Sequence, residues 1–456
     1  MDKLLIKNAN IVTSEKKYFS DILLSKGKIV EISKNIKTHT DCQVIDAEKK
    51  YVFPGGIDPH VHMHLPTFAG FSSDDFYTGS KAALSGGTTT LIDFVTPQKN
   101  ESLPDALAKR KKEAENCLTD YSFHVSPVDY HRNIENEIRE CIDRGITSFK
   151  VYTAYLDSIG LKDADLLKIM KIIADAGALL TVHAELGDAI EDLRNKFYNE
   201  RKTEPKYHAL SRPEYTETEA VKKIIRFAEE TNCKVYFVHV STGKSAELIA
   251  DAQKKGLPIY AETCPQYLLF DDEKLTGKFE DTAKFVFSPA LRKKNDNEKL
   301  WKSLSENIIQ TTGTDHCPFN FEQKLLGKND FRKIPNGAGG VEYRLSLLYT
   351  YGVLQNKISI NDFVRIISTG SSKIFGLYPE KGEIAIGSDA DLIIWNDTVS
   401  EKISTETQYQ NCDLNIYENI EIKGKPGTVI KNGEIVFSNG IFSDKISNGN
   451  FLKRKL

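Results

Sequence analysis

Between residues 56 and 316, eight apolar stretches of strand character are separated by loops and amphipathic helical stretches. They are GIDPHVH (56–62), TTTLIDFV (88–95), YSFHVSP (121–127), ITSFKVYT (146–153), LLTVHAE (179–185), KVYFVHVS (234–241), PIYAETC (258–264) and IIQTTGTDH (308–316). Strands alternating with helices mark βα units and a parallel sheet. DADLLKIMKIIADAG follows the helical period, with Asp163 as N-cap and Gly177 as its stop, and TETEAVKKIIRFAEET and SAELIADAQKKG repeat it. Eight strands in this order fit a closed (β/α)8 barrel of the TIM type, and a doubly wound sheet is the competing arrangement.

The two ends of the chain read differently. LLIKNANIV, DILLSKGKIVEIS and TDCQVIDAE alternate apolar and polar residues, with a hairpin turn at Lys26-Gly27. EIAIGSDADLIIW and KPGTVIKNGEIVFSNG do the same, with turns at Gly387-Ser388 and Asn432-Gly433. These halves are expected to pair into one discontinuous β-sandwich, residues 1–52 plus 380–456, around a barrel domain of residues 53–379.

Placement of polar residues favours the barrel. His60 and His62 end the first candidate strand, Lys150 lies in the fourth, His183 in the fifth, His239 in the sixth and Asp315 in the eighth. Barrel chemistry sits at the C-terminal strand ends. A buried lysine or aspartate without partners is costly, and one metal centre accounts for all six residues together. His60 and His62, two apart on a strand, face the same way and can grip one ion. His64 continues the spacing, but Leu65-Pro66 signals that the strand has ended. Four histidines and an aspartate can ligate two divalent ions, and no cysteine stands at a matching position. Lys150 fits such a site only if burial keeps its amine neutral, so that it takes up CO₂ as a carbamate able to bridge two ions.

Bulk properties exclude other classes. A net charge of -3 over 456 residues gives no field for nucleic acid or anionic lipid. No apolar run is long enough to span a bilayer, and MDKLLIKNAN lacks a signal peptide's apolar core. Seven scattered cysteines, never spaced CxxC, point to reduced thiols and a cytoplasmic protein.

PGGIDPHVHMHLP, DDFYTGSKAALSGGTTTLIDF, SFKVYTAY, LLTVHAE, YFVHVSTGKSAE, ETCPQYLLF, SPALR, GTDHCPF and IPNGAGGVEYR resemble, in order, the motifs of the dihydropyrimidinase and D-hydantoinase family of cyclic amidohydrolases. The resemblance runs to KGEIAIGSDADLIIW and covers nearly the whole chain. It implies a zinc-dependent opening of dihydropyrimidine or 5-substituted hydantoin rings by a metal-bridging hydroxide. By position, it implies that His60, His62, Lys150 and Asp315 hold the more buried ion. His183 and His239 would hold the second, with carboxylated Lys150 bridging both. Tyr155 matches the tyrosine that bonds the substrate carbonyl, and Ser288 and Asn336 match positions whose main chain holds the ring amide. Asp315 is implied as the proton carrier, and a homotetramer as the assembly.

Leu65, Tyr152 and Ile159, with Phe68 and Phe71 nearby, match positions lining the pocket for the substituent outside the ring. Dihydroorotase-like chains carry an arginine where this one has His64, so an anionic dihydroorotate ring fits poorly. His64 itself is expected as an exposed loop residue, with a relay role as the alternative. FLKRKL and NCDLNIYENIE are expected to be solvated surface. An allantoinase-like enzyme on the same metal set, and a catalytically inert scaffold protein, are the competing readings.

Overall fold

The eight expected strands form at Gly56–Val61, Thr88–Val95, Asp120–Val125, Ser148–Tyr152, Leu179–His183, Lys234–Phe237, Ile259–Thr263 and Thr311–Thr312, in a computed structural model that describes residues 3–37 and 42–456. Each pairs in parallel with its neighbour in chain order. A parallel bridge between Val61 and His316, with the His62 N–H donating to His316 O at 2.8 Å, joins the first strand to the last. The sheet closes as a (β/α)8 barrel, and the doubly wound arrangement is excluded. Its strands are buried on both faces, which is why they read as apolar runs rather than alternations.

The seam of the barrel is held by polar groups. Asp58 accepts from the Thr314 N–H (3.1 Å) and hydroxyl (2.7 Å), and the Asp315 N–H donates to His60 O at 2.9 Å. Arg344, fully buried, donates to Ile57 O (2.9 Å) and Thr312 O (2.6 Å), tying the first strand to the eighth. Closing the sheet therefore sets Asp315 against His60.

Around the barrel, helices Asp163–Asp175, Glu214–Thr231 and Gly243–Lys254 lie where the period places them. Gly177 follows the first of these at φ +71, a backbone conformation that glycine adopts without strain. Asp163 is not the N-cap. Lys162 occupies that position, and Asp163 is the first helical residue, paired with Lys223 at 2.7 Å.

Strands from both ends of the chain build the β-sandwich domain as a nine-stranded mixed sheet. Lys3–Val12, Lys17–Ser25, Lys28–Ser33, Cys42–Asp46 and Tyr51–Pro54 meet Leu392–Lys402, Glu421–Lys431, Glu434–Ser438 and Ile441–Phe442. The halves join where Leu392–Ile394 run antiparallel to Val52–Pro54. Thr40 and Asp41, which open TDCQVIDAE, lie outside the described residues, as do Met1 and Asp2. Lys26-Gly27 (φ +50, +74) and Asn432-Gly433 (φ +50, +80) close two-residue hairpins, the turn type that matches strand twist. Leu4, Ile6, Ile22, Leu392 and Ile430 belong to a core of this domain's own. Buried Lys381 links the domains, bonding Asp120 of the third barrel strand and Asp391 at 2.6 Å.

Two stretches expected at the surface lie there only in part. In NCDLNIYENIE, Asn415, Ile416 and Tyr417 are buried, with Tyr417 stacked on Phe270 (centroids 5.5 Å). The tail carrying FLKRKL runs under the barrel: Tyr121 N–H donates to Asn450 O (2.9 Å) and Leu452 N–H to Tyr121 O (2.7 Å). Arg454, 5% exposed, donates to Ser148 Oγ at 2.8 Å and to Phe123 O. Lys453 and Lys455 are exposed as their charge suggests, while Arg454 is drawn in by the Phe123 carbonyl and the Ser148 hydroxyl. No helix among the described residues is long and apolar enough to cross a membrane.

Candidate active site

His60 stands inside the first strand, Lys150 in the middle of the fourth and His183 at the end of the fifth. His62 lies one residue beyond its strand, His239 two beyond and Asp315 three beyond. The expectation of six strand residues is thus corrected for these three, which occupy the turns leaving the barrel. His239 (φ +40), Asp315 (φ +54) and Tyr155 (φ +59) adopt left-handed backbone, a strained state for side-chain-bearing residues that clusters at functional sites.

Two groups of converging atoms result. His60 Nε2 and His62 Nε2 lie 3.2 Å apart, and each is 3.1 Å from Asp315 Oδ1. On its other nitrogen, Nδ1, His60 bonds Glu262. Burial would depress the His60 pKa, but Glu262 and Asp315 outweigh it and hold it up to about 9. Burial would likewise raise Asp315, yet His60 and His62 keep it well below the carboxylate range. In the second group, His183 Nδ1 faces His239 Nε2 at 2.9 Å, and burial lowers both pKa values. The His60 and His239 rings, 5.3 Å apart, connect the groups.

Lys150 is 1% exposed, its Nζ 4.9 Å from the Phe94 ring centroid and 5.0 Å from that of Tyr152. Phe94 stacks on His62 in turn, with centroids 4.7 Å apart. Burial pushes Lys150 down to about 7 despite Asp315 and Glu262, so a large share of the amine is neutral near neutral pH.

Carboxylates that the motifs passed over fix these rings. Glu262, in the seventh strand, also accepts from Tyr236 OH at 2.8 Å and from the His239 N–H at 3.1 Å. Glu185 Oε2 accepts from His183 Nε2 (2.9 Å) and Arg212 (2.8 Å), which leaves His183 Nδ1 as a lone pair. Asp93 accepts from the Met63 N–H (2.7 Å) and Arg110 (2.8 Å), fixing the backbone just past His62. Each is an acid inside an apolar strand or just past one, the same signal that marks Asp315.

Tyr155 lies beside the second group, its ring 5.4 Å from His183 and 6.2 Å from Tyr152. Burial raises its phenol pKa, with Arg212 and Ser288 pulling the other way. Half-buried Ser288 and exposed Asn336 sit on two segments joined by a Gly337 N–H to Val286 O bond of 3.1 Å. Leu65 and Ile159 are half-buried, Tyr152 is buried, and Phe68 and Phe71 are exposed. His64 does not join the cluster. It is half-buried rather than exposed, at φ +48, with its ring stacked 4.0 Å from Phe71.

The donor set suits divalent metals. Imidazole nitrogens converge twice, once with the Asp315 carboxylate, the outer nitrogens of His60 and His183 are occupied by carboxylates, and among the described residues His60, His62 and Asp315 form the compact group of ligand atoms.

Residues 51–436 match the amidohydrolase family. A D-hydantoinase of Geobacillus stearothermophilus is 42% identical over 99% of this chain and 96% of its own. A dihydropyrimidinase of Rattus norvegicus is 37% identical over 100% of this chain and 89% of its own. The crystal structure of a dihydropyrimidinase from Brevibacillus agri superposes with a TM-score of 0.97 at 41% identity, covering 99% and 98% of the two chains. An L-hydantoinase from Arthrobacter aurescens superposes at 0.91 with 28% identity, over 100% of each. A closed barrel with histidines and carboxylates converging at its strand ends, and relatives of this extent, lead to one conclusion: the chain belongs to the amidohydrolase family, in its dihydropyrimidinase and D-hydantoinase branch.

Proposed function

We propose that this protein hydrolyses the ring amide of 5,6-dihydropyrimidines or 5-substituted hydantoins, opening the ring to an N-carbamoyl amino acid. The observation that supports it most is the pair of convergent groups, His60–His62–Asp315 and His183–His239, with a buried lysine of depressed pKa nearby. On this reading the first group and carboxylated Lys150 would hold one zinc ion, and His183 and His239 with the same lysine a second. Two such ions supply Lewis acidity toward the ring carbonyl and a water of lowered pKa.

The chain's own groups do the rest. The segments bearing Ser288 and Asn336 hold the ring amide through main-chain groups and fix its carbonyl. Tyr155, held in a strained backbone, donates its phenol O–H to the oxygen on which negative charge develops. Asp315 takes the proton of the attacking water at a carboxylate oxygen and returns it to the leaving ring nitrogen. Its low pKa belongs to the state in which His60 carries a proton between two carboxylates. Leu65, Tyr152 and Ile159 select the substituent at the ring carbon. We also assign the domain division at 52/53 and 379/380, a homotetrameric assembly and a cytoplasmic location.

Glu262→Gln removes the carboxylate behind His60 while keeping its shape. It is expected to weaken metal affinity by roughly 10–100-fold, measured by competition with a chromophoric chelator. Hydrolysis of dihydrouracil, phenylhydantoin, allantoin and dihydroorotate by the zinc-loaded protein tests the reaction itself. Turnover of either of the first two, with about two metals per chain by elemental analysis, is the expected result. Turnover confined to allantoin or dihydroorotate, or a metal-free protein inert to all four, would refute the proposal.

A further inference from the structure

Lys324 ends the short helix Phe321–Lys324 and is 1% exposed, yet it forms no ion pair with a carboxylate among the described residues. Its ammonium donates instead to three backbone carbonyls: Val286 O at 3.1 Å, Pro335 O at 2.7 Å and Gly337 O at 2.8 Å. An ammonium has three N–H donors, and all three are used. Burial pulls its pKa down to about 7, and an amine buried against carbonyls alone is an expensive way to stabilise loops, where an apolar side chain would serve ordinary packing at less cost.

The three acceptors are placed to a purpose. Val286 lies two residues before Ser288, and Pro335 and Gly337 flank Asn336 on both sides. Among the described residues Lys324 is the only side chain that bonds both segments. Neighbouring carbonyls of the first segment are fixed separately, Phe287 O by His208 Nε2 (2.8 Å) and Pro289 O by Tyr267 OH (2.7 Å). Among the described residues the segment 335–337 has no comparable set of side-chain ties. Its backbone is closely seated, since a Cβ on Gly337 would lie 2.2 Å from Cys317 O. Cys317 stands two residues after Asp315, so the same segment abuts the loop that carries the proposed proton carrier.

We infer that Lys324 is a positioning residue that sets the spacing of the Ser288 and Asn336 segments, and so the grip on the substrate's ring amide. The inference rests on the proposed role of those segments. Main-chain contacts that are made when the ring binds and are kept as it reacts act equally in the ground state and the transition state. Their loss raises KM and leaves kcat nearly untouched.

Lys324→Met keeps the arm and removes the donors, and Lys324→Gln keeps two N–H donors on a shorter arm. With zinc-loaded protein and dihydrouracil, Lys324→Met is expected to raise KM by about 10-fold or more, with kcat within about twofold and metal content unchanged. Lys324→Gln is expected to fall between it and the wild type. A KM within about twofold of wild type in folded, metal-loaded Lys324→Met overturns the inference. A parallel loss of kcat, metal content and melting temperature, or failure of both variants to fold, overturns it too, by assigning Lys324 to stability alone. If wild type turns over neither dihydrouracil nor a hydantoin, the proposed function itself fails. A working wild type with an indifferent Lys324→Met variant removes this inference only.

Discussion

Asp315→Ala is expected to abolish ring hydrolysis, lowering kcat by about 10³-fold or more even with excess zinc. The carboxylate has two tasks in the proposed reaction. One oxygen sits 3.1 Å from the Nε2 atoms of both His60 and His62, the placement of a shared metal ligand. The group also carries the proton from water to the ring nitrogen, without which a poor amide leaving group must depart as an anion. Its strained backbone at φ +54 holds it where the closing seam brings it. Steady-state kinetics on variant protein whose metal content has been verified gives the measurement. Retention of even about a tenth of wild-type kcat would remove Asp315 from the chemistry.

The second large effect belongs to Lys150. Lys150→Ala is expected to lose activity to a similar extent, about 10³-fold, and to lose metal with it. Lys150→Arg should not rescue, because a guanidinium stays protonated and cannot take up CO₂. The pH dependence follows from burial. The folded lysine titrates at about 7, so its neutral, CO₂-reactive form grows as pH rises through that value and shrinks below it. Reactivation of metal-stripped protein by zinc, at constant dissolved CO₂, should therefore speed up between about pH 6 and pH 8 and level off above. A Lys150→Arg variant with full activity, or a reactivation rate flat across that range, would rule out the carbamate.

Much of this was legible in the sequence because barrel strands buried on both faces leave long apolar runs, against which a histidine, lysine or aspartate stands out. The HxH at residues 60 and 62 was readable from spacing alone. What spacing could not show was the turn geometry. Positive φ at His239 and Asp315 lets residues beyond the strand ends aim inward, and no local pattern marked it. Glu262 holds a ring from another strand, a contact fixed only when the barrel closes, whereas Glu185, two residues after His183, lay within reach of a spacing argument. FLKRKL misled at Arg454 alone. Lys453 and Lys455 are exposed, while the partners of Arg454, the Phe123 carbonyl and Ser148, lie about 300 residues earlier in the chain.

That tail has a consequence for the order of events during synthesis. Arg454 donates to Ser148 Oγ, which pairs with His124 Nδ1 (2.6 Å), and His124 Nε2 pairs with Pro59 O (2.9 Å), next to His60. The floor beneath the strands that carry the histidines is finished only when residues 449–455 have been made, with nearly the whole described chain between them and His60. A ribosome-bound nascent chain can present its histidines long before this brace exists. If the site holds metal as proposed, stable loading would follow translation, and fusions that crowd the floor should delay it without touching a ligand.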